Sequence, residues 1–137
     1  MLTTHCLCTK LRRSARTVTR LYDDALQAVG LSTPQFSLLR HLARLERPSI
    51  SELADAMGLD RSTLGRNLRP LEQDGLLRLA EGDDQRHRIV LLCPAGAARL
   101  AQAEIAWEAA QAGLAERLGE RKRAQLEALL DELAALD

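Results

Sequence analysis

A short run of the chain, residues 61–69, carries side chains suited to reading DNA. It contains three arginines and no acidic residue. Arginine can donate two hydrogen bonds to guanine, asparagine can pair with adenine, and small hydroxyls reach phosphate oxygens. Leu64 and Leu68 recur at helical spacing, so the polar residues fall on the opposite face of a helix. The candidate DNA contacts are Arg61, Ser62, Thr63, Arg66, Asn67 and Arg69.

The elements on either side of this run predict how it is held. Residues 50–57 form a short amphipathic helix that ends at Gly58, and Asp60 is a good N-cap for the next helix. After that helix, residues 76–80 and 88–92 flank a polar, glycine-containing link, which is typical of a β-hairpin. The order helix, short turn, helix, hairpin predicts a winged helix-turn-helix.

The hairpin link adds three further candidate contacts. Asp84 and Arg86 lie in the link, and Arg88 stands at the start of the second strand. Asp84 and Arg86 could form an ordinary exposed ion pair, which contributes little to stability. Their position after a helix-turn-helix favours contact with DNA instead. His87 and His41 are interpreted as surface residues rather than ligands.

Composition indicates that the fold is mainly α-helical. Leucine and alanine supply 28 and 21 residues, whereas valine and isoleucine together supply six. We expect an N-terminal helix over about 9–29 and two C-terminal helices over about 95–118 and up to 136. The C-terminal pair is apolar on more than one face, so we expect it to pack against a second copy of the chain. The length predicts a single domain over 1–137.

Charge and apolar patterning exclude several classes of protein. The net charge is zero, but residues 10–20 hold five basic residues and no acid, whereas residues 97–137 carry a net charge of −3. Any attraction to nucleic acid must therefore be local. No apolar run approaches the ~18 residues of a membrane span, and the N-terminus lacks a secretory signal. With three cysteines, we expect a reducing, cytoplasmic setting.

The motifs together resemble the MarR family of winged-helix regulators. The resemblance rests on residues 35–39, 50–58, 60–76, the D-x-R segment 84–86 and residues 92–96. It implies a homodimer held by residues 1–30 and 95–137, with residues 31–94 as the winged-helix DNA-binding region. It also implies a near-palindromic operator, with Arg86 in the minor groove and positioned by Asp84. Many members are repressors that release DNA when a phenolic ligand, a metal or an oxidant acts.

The cysteines depart from the family pattern. Cys6 and Cys8 stand beside basic residues that favour the thiolate, which suits oxidation or capture of a soft metal. The alternative is a frayed terminus without a role. Cys93 replaces the usual Thr or Ser cap, and it is either a third sensor thiol or a small buried apolar residue. We expect no structural metal site and no cofactor.

Three function classes remain open at this point. The favoured one is a dimeric DNA-binding repressor released by a small ligand, oxidant or soft metal. If the family pattern holds, its ligand pocket lies near Arg16, Phe36 or Trp107. The alternative is a winged-helix protein-interaction module that does not bind duplex DNA. A thiol enzyme built on Cys6 and Cys8 would need a βαβ scaffold, which the sequence lacks, so we expect that the chain is not an enzyme.

Overall fold

The computed structural model describes residues 3–82 and 88–136. Within these ranges the chain is mainly α-helical with one antiparallel hairpin, which confirms the predicted fold class. The helices are α1 (Leu7–Leu26), α2 (Thr33–Leu45), α3 (Ile50–Met57), α4 (Arg61–Gln73), α5 (Pro94–Leu118) and α6 (Glu120–Ala134). The strands are β1 (Leu77–Glu81) and β2 (Arg88–Leu92).

Side-chain caps fix where α2 and α3 begin. The Ser32 hydroxyl accepts a hydrogen bond from the Gln35 backbone N–H at 3.3 Å, and the Gln35 side chain accepts one from the Ser32 N–H at 3.0 Å. Ser49 and Glu52 make the same reciprocal pair at the start of α3. Such caps contribute about 1 kcal/mol each and need only residues three apart. The two helix starts are therefore encoded locally.

The first helix ends earlier than its periodicity predicts. α1 stops at Leu26, and a 3-10 turn over Gln27–Val29 leads to Gly30, whose φ is 77°. The guanidinium of Arg99 in α5 donates a hydrogen bond to the Val29 carbonyl oxygen at 3.2 Å. This contact holds the tightened last turn against α5, which periodicity along α1 alone could not predict.

Leucines from α2, α3, α4 and the hairpin build the core. α2 lies at its centre and buries Phe36, Leu38, Leu39 and Leu42. Full burial of a leucine or phenylalanine contributes about 1.5–3 kcal/mol. The fully buried leucines and valine also include Leu26, Leu53, Leu64, Leu71, Leu76, Leu77 and Val90. As a result, α4 is packed against α2, α3 and β1.

The hairpin is tied to the start of α5 by close backbone contact. β1 and β2 pair from Leu77 opposite Leu92 onward, and the Cys93 N–H donates to the Leu76 carbonyl oxygen at 3.0 Å. A Cβ atom at Gly96 would lie only 2.0 Å from that same oxygen. Only glycine permits this approach.

Large apolar side chains remain exposed on the terminal helices. Leu26 is the one buried residue of α1, and α6 has none. The exposed side chains include Leu7, Leu11 and Leu21 of α1, Ile105 of α5, and Leu126, Leu129, Leu130 and Leu133 of α6. Across the described ranges, no helix combines the length and apolar character that a membrane crossing requires.

Candidate nucleic-acid interface

The polar face of α4 is presented to solvent by the burial of its opposite face. Leu64, Leu68 and Leu71 are buried, with relative exposures of at most 4%. Arg61, Ser62, Arg66 and Arg69 are exposed, and Thr63 and Asn67 are half-buried. All six helix residues predicted to contact DNA therefore lie on α4, and the three guanidinium groups share a solvent-facing surface.

Asp60 caps α4 and orders its first turn. Its Oδ1 atom accepts hydrogen bonds from the Thr63 backbone N–H at 2.7 Å and from the Ser62 hydroxyl at 2.9 Å. These bonds, the backbone one foremost, hold the pKa of the Asp60 carboxyl below its ordinary value. The ionised carboxylate thus satisfies the Thr63 N–H of the first turn.

The turn between α3 and α4 depends on a left-handed glycine. Gly58 has a φ of 66°, and its N–H reaches the carbonyl oxygens of Ala54 and Asp55. The Leu59 N–H also donates to the Ala54 carbonyl oxygen, at 2.9 Å. This closure sets the crossing of the two helices and so the direction in which α4 points.

The β-hairpin is attached by backbone hydrogen bonds to the segment just before α3. The Val90 N–H donates to the Pro48 carbonyl oxygen at 2.9 Å, and Ile89 forms an isolated β-bridge with Ser49, the cap of α3. Arg88 is exposed at the start of β2, opposite Glu81 of β1. The other predicted wing contacts, Asp84 and Arg86, lie outside the described residues, as does His87.

The three cysteines occupy helix starts. Cys6 is the N-cap residue of α1, Cys8 lies in its first turn, and both are exposed. The hydroxyl and backbone N–H of Thr9 lower the pKa of the Cys6 thiol below its ordinary value. Cys93 is half-buried at the N-cap of α5 and makes no side-chain capping bond. The first two thiols are therefore near each other in sequence and open to reagents, whereas the third is part of the α5 start.

Of the three predicted pocket residues, Phe36 and Trp107 contact each other. Phe36 and Trp107 stack with their ring centroids 6.0 Å apart, and the guanidinium carbon of Arg40 lies 4.3 Å from the Trp107 centroid. Arg16 instead lines an open surface groove on α1, together with Ala15, Thr19 and Arg20. Within the described ranges, no three His, Cys, Asp or Glu side chains are grouped to hold a metal ion.

Sequence reasoning missed Arg40, which covers both aromatic rings. Its guanidinium carbon also lies 5.9 Å from the Phe36 centroid. The two residues are four apart on α2, the spacing at which helix side chains meet. That spacing could have indicated an intrahelical cation–π contact, but the closer contact to Trp107 depends on how α2 packs on α5.

Comparison with known proteins adds independent information. A MarR family profile matches residues 29–87. The chain is 35% identical to the M. tuberculosis transcriptional regulator MosR, solved in complex with DNA; the alignment covers 96% of this chain and 100% of that one, with a TM-score of 0.80. It is 27% identical to the transcriptional repressor CouR, solved bound to a 23-mer DNA duplex, with coverage of 98% and 99% and a TM-score of 0.89.

A third relative is the organic hydroperoxide resistance transcriptional regulator of Bacillus subtilis. It is 30% identical over 92 residues, which is 66% of this chain. The chain spans 63% of that relative's length, and 61% of the length of a second transcriptional regulator from the same organism. All of these proteins are transcriptional regulators, in agreement with the prediction that the chain is not an enzyme.

Proposed function

The chain belongs to the MarR family of transcriptional regulators, and we propose that it works as a homodimeric repressor on a near-palindromic operator. The observation that carries this proposal is the exposed face of α4. There, arginines stand opposite a buried leucine face, and the N-cap carboxylate is hydrogen-bonded within its own turn. A helix with this face fits the major groove of DNA.

The proposed contacts fall into two groups. Arg61, Ser62, Thr63, Arg66, Asn67 and Arg69 of α4 would enter the major groove, and Asp84, Arg86 and Arg88 would act at the wing. A dimer doubles the three α4 arginines and the wing, which gives about 6–10 phosphate or base contacts, so affinity should fall steeply with salt. Two-fold symmetry sets the half-sites about 10 base pairs apart.

The exposed apolar residues of α1, α5 and α6 support the dimer. Leucines such as Leu129, which is 57% exposed, would gain cover from a second copy. We assign residues 1–30 and 95–137 to dimerisation and residues 31–94 to DNA binding, within one domain. A second copy would bring two α4 helices into one complex, which a palindromic operator requires.

As the signal that makes the protein release DNA, oxidation of a thiol has more support than binding of a small molecule. Cys6 is exposed, and its pKa is lowered by hydrogen bonds from Thr9. A Cys6 thiolate can attack the outer oxygen of a hydroperoxide; the O–O bond breaks, the sulfur becomes a sulfenic acid and the peroxide leaves as an alcohol. One relative is named for organic hydroperoxide resistance. By contrast, a ligand between Phe36 and Trp107 would have to separate two stacked rings, over which Arg40 lies.

The decisive experiment is an anisotropy titration of duplex DNA from the upstream region of the chain's own gene. It is run with reductant and with cumene hydroperoxide, at about 50 and 200 mM salt. Tight, salt-steep binding that Arg66→Ala abolishes without unfolding supports the DNA-binding function. No binding to any duplex would refute it and favour a protein-interaction module.

The same titration tests the thiol response. Cys8→Ser should bind DNA like the parent in reductant and should lose the response to the peroxide, because the Cys6 sulfenic acid then lacks the Cys8 thiol with which it would condense to a disulfide and release water. If the parent binds DNA equally with and without peroxide, the thiol response is wrong. The regulator then stands, and its signal must be sought at the groove that Arg16 lines.

A further inference from the structure

Most glycines whose surroundings the structure describes have a reason within the fold. Four adopt a positive φ that other residues disfavour, and Gly96 contacts the Leu76 backbone too closely for any side chain. The four are Gly30, Gly58, Gly75 and Gly119. Two helical glycines, Gly65 and Gly113, have neither reason. They therefore need a different explanation.

Gly65 weakens α4 without serving any contact inside the chain. It lies in the interior of the helix, between Leu64 and Arg66, and a Cβ atom built on it would meet nothing within 4 Å. Glycine in a helix interior destabilises the helix relative to alanine. Alanine would fit at this position in the free protein and would strengthen α4.

The position of Gly65 on α4 shows which side chains surround it. Residues three and four apart share a helix face, so Gly65 adjoins Arg61, Ser62, Leu68 and Arg69. Leu68 is buried, and the other three are exposed candidate DNA contacts. The space left by the absent side chain thus borders the surface of α4 that is proposed to face DNA.

We propose that Gly65 is the point where the α4 backbone comes closest to the DNA in the major groove. This inference rests on the proposed function. The groove is about 12 Å wide and a helix with its side chains is about 10–12 Å across, so the helix nearly fills it. A side chain at position 65 would lift α4 and draw the neighbouring arginines away from the base edges. Gly65 is in this sense a positioning residue, and it sets how deep α4 sits.

The test uses a size series with a matched control. Gly65→Ala and Gly65→Gln are compared with Gly113→Ala, which adds the same methyl group to α5 at a position equally free of neighbours. Arg66→Ala is measured in parallel. The probe is a duplex that the parent protein selects from a random-sequence pool, titrated by anisotropy. Thermal unfolding is recorded for every variant.

A steric role predicts opposite effects on stability and binding. Gly65→Ala should raise the unfolding midpoint by about 2–4 °C, because it removes a helix-weakening glycine. It should nevertheless weaken binding to the selected duplex by about 10-fold, and Gly65→Gln should weaken it further. Gly113→Ala should also be more heat-stable than the parent.

Three results would overturn the inference in distinguishable ways. If Arg66→Ala binds weakly but Gly65→Ala binds like the parent, Gly65 does not set the depth, although α4 is the reading helix. If Gly65→Ala and Gly65→Gln lose the same affinity, a steric limit is not the cause. If Arg66→Ala and both Gly65 variants bind like the parent, the assignment of α4 to DNA is wrong, and the role of Gly65 is lost with it.

Discussion

Replacement of Gly96 by alanine tests the close approach of α5 to the hairpin. The new methyl carbon would lie 2.0 Å from the Leu76 carbonyl oxygen, 2.8 Å from Leu92 Cδ1 and 2.9 Å from the Leu76 carbonyl carbon. Favourable contact between carbon atoms begins at about 3.5 Å. The first atom belongs to the backbone, so no side-chain rotation can relieve the overlap, and α5 must move away from β1.

The loss of free energy of unfolding in Gly96→Ala follows from that movement. Overpacking of this kind typically costs about 1–3 kcal/mol. The Leu76 oxygen also accepts the Cys93 N–H at 3.0 Å, a hydrogen bond that the shift would stretch. Its loss adds about 0.5–1.5 kcal/mol. We therefore expect the free energy of unfolding to fall by about 1.5–4.5 kcal/mol.

The assay is urea unfolding followed by far-UV circular dichroism at one fixed protein concentration, because dimerisation makes stability depend on concentration. Gly113→Ala is the control, since it makes the same substitution on the same helix where nothing lies within 4 Å. It should raise the free energy of unfolding by about 0.5–1 kcal/mol. If Gly96→Ala stays within about 0.5 kcal/mol of the parent, the approach of α5 to the hairpin is wrong.

Three further predictions follow from other contacts. Arg40→Ala should lower the free energy of unfolding by about 0.5–2 kcal/mol and shift the emission of Trp107 to longer wavelength, because the guanidinium over its ring is lost; an unshifted emission maximum would contradict that contact. The folded-state pKa of Asp60 is lowered, so its cap stabilises the fold above the unfolded pKa of about 3.9 and is lost as the pH falls through the folded value. Asp60→Asn should therefore show a smaller loss of urea midpoint between about pH 6 and pH 3 than the parent, and identical losses would show that the carboxylate does not cap α4. Leu129→Asp should keep its helical content but elute as a monomer in light-scattering chromatography, because more than half of the Leu129 side chain is exposed within one chain; a persistent dimer would remove this face of α6 from the interface.

The sequence predicts most reliably the features that local hydrogen bonds decide. Asp60 as a cap, Gly58 as a turn and the leucine face of α4 each depend on residues within four positions of one another. The same rule explains why the order of helices and the hairpin could be predicted. The end of α1 differs from the periodic pattern, because the last three residues of the predicted helix form a 3-10 turn, whose Val29 carbonyl oxygen accepts a hydrogen bond from Arg99 of a distant helix.

The features that could not be predicted arise from packing between distant parts of the chain. Nothing in the sequence near Gly96 indicates that the Leu76 backbone will pass within contact distance. The same holds for Arg40, whose nearer aromatic partner, Trp107, is on another helix. The expectation of a ligand pocket near Arg16, Phe36 or Trp107 came from family resemblance and stays a prediction. Phe36 and Trp107 stack on each other, and Arg16 lines a groove on α1.

A net charge of zero is consistent with a DNA-binding protein when the charges are separated by element. Seven of the eight acids of residues 97–137 belong to α5 and α6, whereas α4 packs against α2, α3 and β1 and carries no acid between Arg61 and Arg69. Attraction to phosphates depends on charges within about 10 Å, because salt screens longer distances. Binding should therefore follow the local charge of α4 and the wing. Neutralising one α4 arginine should reduce the salt dependence of binding, whereas neutralising an acid of α6 should leave it unchanged.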